Sequence, residues 1–71
     1  MKNEMEILLN NRKDSIDRGE ITLEDLIQYK NFTFKLLVTK VNGRLVRKAE
    51  RHNFIVRDGD EVQVHHMISG G

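Results

Sequence analysis

The residues that could most clearly take part in a chemical reaction are the last three, Ser69-Gly70-Gly71. Glycine has no side chain, so a carboxylate on Gly71 can enter a narrow enzyme channel with little steric hindrance. Activated as an adenylate, that carboxylate becomes an electrophile for an amine, a thiol or a sulfur donor. The partner supplies the catalysis for these steps. We therefore expect residues 69–71 to form a flexible tail that enters a partner's active site.

Other residue types that could carry chemistry do not combine into a site. Without cysteine the chain can form no disulfide, thiolate metal site or cysteine nucleophile. His65 and His66 are adjacent on a predicted strand and point to opposite faces, so we expect no metal site from them and His52. Ser15 and Ser69 lack a nucleophile-elbow context, and no phosphate-binding glycine loop is present. We expect no catalytic residues and no bound cofactor.

Charge and hydropathy narrow the classes of partner. The 71 residues carry a net charge of +1, with 12 basic and 11 acidic side chains, which argues against nucleic acid. The chain also lacks the long apolar stretch of a signal peptide or membrane span, so we expect a cytoplasmic protein without membrane contact. A basic cluster is interpreted as a solvated face, with a docking surface as the alternative: Arg44, Arg47, Lys48, Arg51 and Arg57.

Turn and cap signals divide the chain into strands and one helix. Asn10-Asn11 and Asn42-Gly43 are typical of tight hairpin turns. Thr22 is a good N-cap, and the helix that it begins is expected to end near Lys30-Asn31. Residues 49–57 are interpreted as irregular, with Phe54 and Ile55 turned inward. The predicted strands are 5–9, 12–18 (an edge strand), 34–41, 44–48 and 61–68.

This order of elements favours an α+β fold of the β-grasp type, with a mixed sheet of four to five strands packed on one helix. A ferredoxin-like fold would need a second helix, and residues 49–57 are too short and too weakly periodic to form one. We expect the β-grasp domain to span residues 1–68, followed by the tail at 69–71.

The final strand and a few apolar residues indicate a partner surface. Its two-residue period puts Val62, Val64, His66 and Ile68 on the expected core side. Leu8, Leu36, Val38 and Met67 are candidates for exposed contacts, although the register between residues 36 and 41 stays open. The expected partner contacts are Met67, Ile68 and Leu8, with Met67 favoured because it lies beside the exit of the tail and methionine adapts to irregular surfaces.

Three segments carry a family resemblance. The stretches Val41-Asn42-Gly43-Arg44-Leu45-Val46, Arg57-Asp58-Gly59-Asp60-Glu61-Val62 and Ile68-Ser69-Gly70-Gly71 resemble the ThiS family of thiamine sulfur carriers, and more distantly MoaD, the small subunit of molybdopterin synthase. The resemblance implies a ubiquitin-like β-grasp fold. It also implies that a ThiF-type enzyme, using ATP and magnesium, adenylates Gly71. The adenylate would become a thiocarboxylate with sulfur from a donor such as a cysteine desulfurase, and thiazole synthase (ThiG) would consume that sulfur.

Alternatives remain at this point. Arg47 stands where ThiS-like sequences often have proline, and Ser-Gly-Gly endings also occur in the molybdopterin branch. The connection from Arg47 to Val56 resembles ThiS, and His65-His66 replace the prolines that often precede a MoaD tail, so thiamine is favoured. A MoaD-like carrier, a non-covalent β-grasp interaction module and conjugation to protein lysines are the other hypotheses.

Overall fold

The computed structural model describes residues 4–32 and 36–67. Within these ranges the elements, in chain order, are β1 (Met5–Leu9), β2 (Arg12–Ile16), β3 (Glu20–Thr22), α1 (Leu23–Tyr29), β4 (Leu37–Val41), β5 (Arg44–Val46), the 3-10 helix η1 (Lys48–Asn53), β6 (Ile55–Arg57) and β7 (Glu61–His66). No helix in the described ranges is long and apolar enough to cross a membrane.

Five strands form a mixed sheet in the order β2-β1-β7-β4-β5. The central strand, β7, is parallel to its neighbour β1, and every other pair in this sheet is antiparallel. Helix α1 supplies the helical layer. The predicted β-grasp fold is confirmed, and the five strands of this sheet agree with the expected four to five.

Two short turns set the hairpins at the edges of the sheet. Asn10 and Asn11 have φ values of 52° and 67°, and Asn42 and Gly43 have 52° and 81°. Two successive residues with positive φ form the mirror-image turns whose twist matches that of paired strands. Both predicted hairpins are therefore present.

The helix begins and ends where its caps predict. The Thr22 hydroxyl accepts a hydrogen bond from the Asp25 amide at 3.1 Å, and Glu24 and Asp25 lie in the first turn. Asn31 has a φ of 60°, which ends the helical path after Lys30. The Lys30 ammonium then pairs with the Asp14 carboxylate of β2 at 2.7 Å, which ties the helix end to the edge of the sheet.

In the described ranges, one hydrophobic core lies between α1 and the sheet. Strand β1 alternates buried and exposed residues, with Met5, Ile7 and Leu9 turned inward. These residues and the inward valines of β7 belong to one cluster with the buried face of α1: Leu23, Leu26 and Ile27. The alternation fixes the register, because a slip by one residue would expose the apolar set to water.

The interpretation of residues 49–57 as irregular is wrong. They contain most of η1 and the whole of β6, which pairs antiparallel with β3 in a separate two-stranded sheet. Phe54 and Ile55 are half-buried, and Val56 is fully buried. These short elements lack a periodic sequence signal and form because each contacts another part of the chain.

Several predicted boundaries also change. Strand β2 ends at Ile16 rather than at 18, where the Arg18 amide turns back to the Ile16 carbonyl at 2.8 Å. Strand β5 ends at Val46 rather than at 48, because Arg47 caps η1. His66 was expected on the core side but is exposed, since the core covers β7 only as far as Val64. Ile68 and the start of the predicted 34–41 strand lie outside the described residues.

Candidate functional site

The described chain ends at Met67, just beyond the end of β7. Its backbone amide donates to the Leu36 carbonyl at 3.0 Å, just beyond the last paired residues of β4 and β7, Leu37 and His66. The predicted tail residues Ser69, Gly70 and Gly71, together with Ile68, lie outside the described residues. The site can therefore be built as far as the residues that lead into them.

The strand that leads into the tail lies in the middle of the sheet. β7 has β4 on one side, with five paired positions, and β1 on the other. Where β1 ends, the Asn10 side chain continues the pairing: its amide nitrogen donates to the Val64 carbonyl at 3.1 Å, and its oxygen accepts from the Val64 amide at 2.8 Å. β7 is thus hydrogen-bonded along both edges.

The turn before β7 is held by carboxylates. Asp58 accepts a hydrogen bond from the Glu6 amide at 2.8 Å, and Asp60 accepts one from the Arg57 amide at 2.9 Å. Gly59 has a φ of 88°, a conformation that side chains disfavour, and its amide donates to the Glu6 carbonyl. This Asp-Gly-Asp turn fixes where β7 begins.

Exposed apolar side chains lie on the face of the sheet turned away from α1. Leu8 is 38% exposed and alternates with buried Ile7 and Leu9, and Met67 is 52% exposed. The register question is settled, since Thr39 and Val41 are buried, while the half-buried Val38 and the exposed Lys40 alternate with them and face outward. We call the following set the docking face, as the candidate contact surface: Leu8, Val38 and Leu45, which face outward from their strands, and Leu36 and Met67, which are exposed just beyond the strand ends.

Leu45 is a member of the docking face that sequence reasoning missed. It is 50% exposed and alternates with buried Val46, and that alternation could have revealed it. Lys40 lies opposite Leu45 on β4, and Lys13 lies opposite Leu8 on β2. Both lysines are exposed, so the apolar face has basic residues beside it.

Interpreting the basic cluster as one solvated face is wrong for Arg51. Arg44, Arg47, Lys48 and Arg57 are exposed, and Arg57 pairs with Glu20 at 3.4 Å. Arg51 is only 7% exposed. Its Nε donates to the Thr39 hydroxyl at 3.1 Å and its Nη2 to the Leu37 carbonyl at 2.7 Å. No local sequence signal marks an arginine that η1 carries inward.

The three histidines do not converge. His52, His65 and His66 are all exposed. Across residues 4–32 and 36–67 there is no group of three or more histidine, aspartate or glutamate side chains that could hold a metal ion.

Taken together, a five-stranded mixed sheet around one helix, with a central strand leading into a Ser-Gly-Gly sequence, defines a ubiquitin-like β-grasp protein. Residues 3–71 match the family model of the ThiS family. The chain belongs to the ThiS family, and proteins of this family are small sulfur carriers rather than catalysts.

The fold also matches a solved structure. The crystal structure of the thiamine biosynthesis protein ThiS from Geobacter metallireducens superposes with a TM-score of 0.86. The two sequences are 19% identical, and the match covers 94% of this chain and 100% of the Geobacter chain. No curated protein matches the sequence.

Proposed function

We propose that this chain is the sulfur carrier of thiamine biosynthesis and that it works through the carboxylate of Gly71. The observation that carries the proposal is the family match, which extends from residue 3 through Gly71 and so includes the Gly-Gly sequence. The thiamine biosynthesis protein from Geobacter, which has the same fold, supports this choice of pathway.

The chemistry divides between the carrier and its partners. In a ThiF-type enzyme that holds ATP and magnesium, a Gly71 carboxylate oxygen attacks the α-phosphate and pyrophosphate leaves, giving an acyl adenylate. A sulfur nucleophile at the oxidation level of hydrosulfide then attacks the acyl carbon, and AMP leaves. Where the donor is a cysteine desulfurase persulfide, its terminal sulfur attacks the acyl carbon and AMP leaves, giving an acyl disulfide. A thiol then cleaves the sulfur–sulfur bond, which releases the thiocarboxylate and leaves the thiol in a disulfide with the donor cysteine. Thiazole synthase takes up this sulfur.

The docking face is the proposed contact with these partners. Leu8 and Met67 flank the course of β7 and are both exposed, so a partner that covers them also receives the tail. Ile68 directly follows Met67 in the chain and is proposed as a third contact. Lys13 and Lys40 beside this face would favour an acidic rim on the partner, which mainly raises the rate of association.

Intact-protein mass spectrometry tests the proposal. The chain is incubated with a ThiF-type enzyme, ATP, magnesium and sulfide, and its mass should rise by the difference between one sulfur and one oxygen. A variant that lacks Gly71 should unfold at the wild-type denaturant concentration yet show no mass gain. Absence of the gain in the wild-type chain, under conditions that charge a known carrier, would support the non-covalent interaction module instead.

A second assay separates the pathways. The thiocarboxylate form is offered in parallel to thiazole synthase and to the large subunit of molybdopterin synthase. We expect thiazole synthase to return the chain to its carboxylate mass. If only the molybdopterin enzyme does so, the chain is a MoaD-like carrier.

A further inference from the structure

Arg51 belongs neither to the docking face nor to the tail, and its environment is unusual. It is a buried cation that forms no ion pair with any carboxylate in the described ranges. A buried charge is costly unless hydrogen bonds replace the water that it loses. Here the replacements are the Thr39 hydroxyl and the Leu37 carbonyl, both on β4.

The Leu37 carbonyl needs this donor because β5 is short. In an antiparallel pair, alternate residues turn their backbone groups toward the partner strand. Val41 and Thr39 pair with β5 in this way, opposite Arg44 and Val46. Leu37, two residues earlier, turns its carbonyl the same way, but β5 has already ended at Val46. The Arg51 guanidinium occupies the position of the missing strand residue.

Thr39 links the guanidinium to the end of β5. Its hydroxyl accepts from Arg51 Nε and donates to the Val46 carbonyl at 2.6 Å. No buried side-chain nitrogen or oxygen in the described residues lacks a hydrogen-bond partner. The network therefore fastens the first half of β4 to η1 and to β5.

The other edge of this half of β4 holds the end of β7. Leu37 pairs with His66, and the Leu36 carbonyl accepts the Met67 amide, the last described hydrogen bond before residues 68–71. Resting on the proposed function, we infer that Arg51 is a positioning residue: by fixing the start of β4 it fixes the point at which the tail leaves the sheet, and so where Gly71 is delivered.

Hydrogen exchange of single amides tests this without any partner enzyme. Arg51→Met keeps much of the aliphatic stem and removes the donors. The Met67 amide should then exchange roughly tenfold faster, because hydrogen bonds from a charged donor contribute local stability of that order. The Ile7 and Leu9 amides on β1 should change less than twofold. The control is Lys48→Met, an exposed η1 cation with the same loss of charge, which should leave Met67 unchanged.

Activation by a ThiF-type enzyme gives the second readout. In Arg51→Met we expect kcat to fall about tenfold while KM stays within about twofold, because Leu8, Val38 and Leu45 still dock and the carboxylate arrives misplaced. Arg51→Lys restores the charge and one donor, so it should recover part of the lost kcat and of the Met67 protection.

Two results would overturn the inference. One is a Met67 exchange rate within twofold of wild type in Arg51→Met. The other is an equal acceleration at Met67, Ile7 and Leu9, which would show that Arg51 only stabilises the whole fold. Both results are measured on the free carrier, so they do not depend on the proposed function. Failure of the proposed function would instead be seen as a wild-type chain that never forms the thiocarboxylate.

Discussion

At the scale of single residues, those that pack the core alternate along the chain with those proposed to contact a partner. Buried Ile7 and Leu9 pack in the core, whereas Leu8 between them faces outward. Glycine follows the same division. Gly43 and Gly59 adopt the positive φ that their turns require. The terminal glycines are proposed to matter for another reason: a segment without side chains can enter a narrow active-site channel.

We expect Gly71→Ala to lower kcat/KM for adenylation by about a hundredfold, since a Cβ beside the reacting carboxylate displaces it in a narrow channel. Gly19→Ala is the matched control, because a Cβ at Gly19 meets no atom within 4 Å. Steady-state pyrophosphate release measures both variants. Equal rates for the two alanine variants would contradict the steric argument.

At the scale of elements, the sequence predicted those turns and that helix whose formation depends on residues close together in the chain. The Asn-Asn and Asn-Gly turns and the Thr22 cap act within four residues, so the hairpins and α1 could be predicted from the sequence. Strands β3 and β6 have three residues each and exist through their mutual pairing, which no short window contains. The burial of Arg51 was missed because it depends on the early end of β5.

The central β1–β7 pair depends on one side chain where β1 ends. Asn10→Gly keeps the positive φ and removes both hydrogen bonds to Val64, so we expect a loss of about 1–2 kcal/mol in the free energy of unfolding. Asn11→Gly is the control, since exposed Asn11 also has positive φ and should be neutral or slightly stabilised. Urea denaturation measures both. If the free energy of unfolding falls no more in Asn10→Gly than in Asn11→Gly, the two hydrogen bonds between Asn10 and Val64 do not stabilise the fold.

At the scale of the whole molecule, the two faces of the main sheet have different tasks. One face packs on α1, and the other carries the docking face with lysines beside it. The sequence predicted Leu8, Leu36, Val38 and Met67 as candidates for the second face. For Leu36 and Val38 the sequence alone did not decide between the outward face and the core. Both alternating sets of residues between 36 and 41 contain apolar side chains, so either set could have faced inward.

Because the proposed contact surface lies on the opposite face of the sheet from the core, we expect that substitutions there can change binding without unfolding the carrier. Met67→Asp should raise KM for the adenylating enzyme by about tenfold, because it places a charge in an apolar contact. The melting temperature should barely change, since substitutions at exposed positions rarely alter stability by more than about 0.5 kcal/mol. Tyr29→Asp is the control, as Tyr29 is 50% exposed on α1, across the core from the docking face. A KM that rises equally in both variants would place the contact elsewhere.

The parallel pairing of β1 with β7 also has a consequence during synthesis on the ribosome. The two hairpins, β1-β2 and β4-β5, are joined into one sheet only by β7, the last of these strands to leave the exit tunnel. A nascent or prematurely terminated chain without β7 has two separate hairpins and an open core. Completion of the sheet and emergence of the residues proposed for activation are therefore nearly simultaneous, so a partner that recognises the complete sheet would not bind a chain that lacks β7.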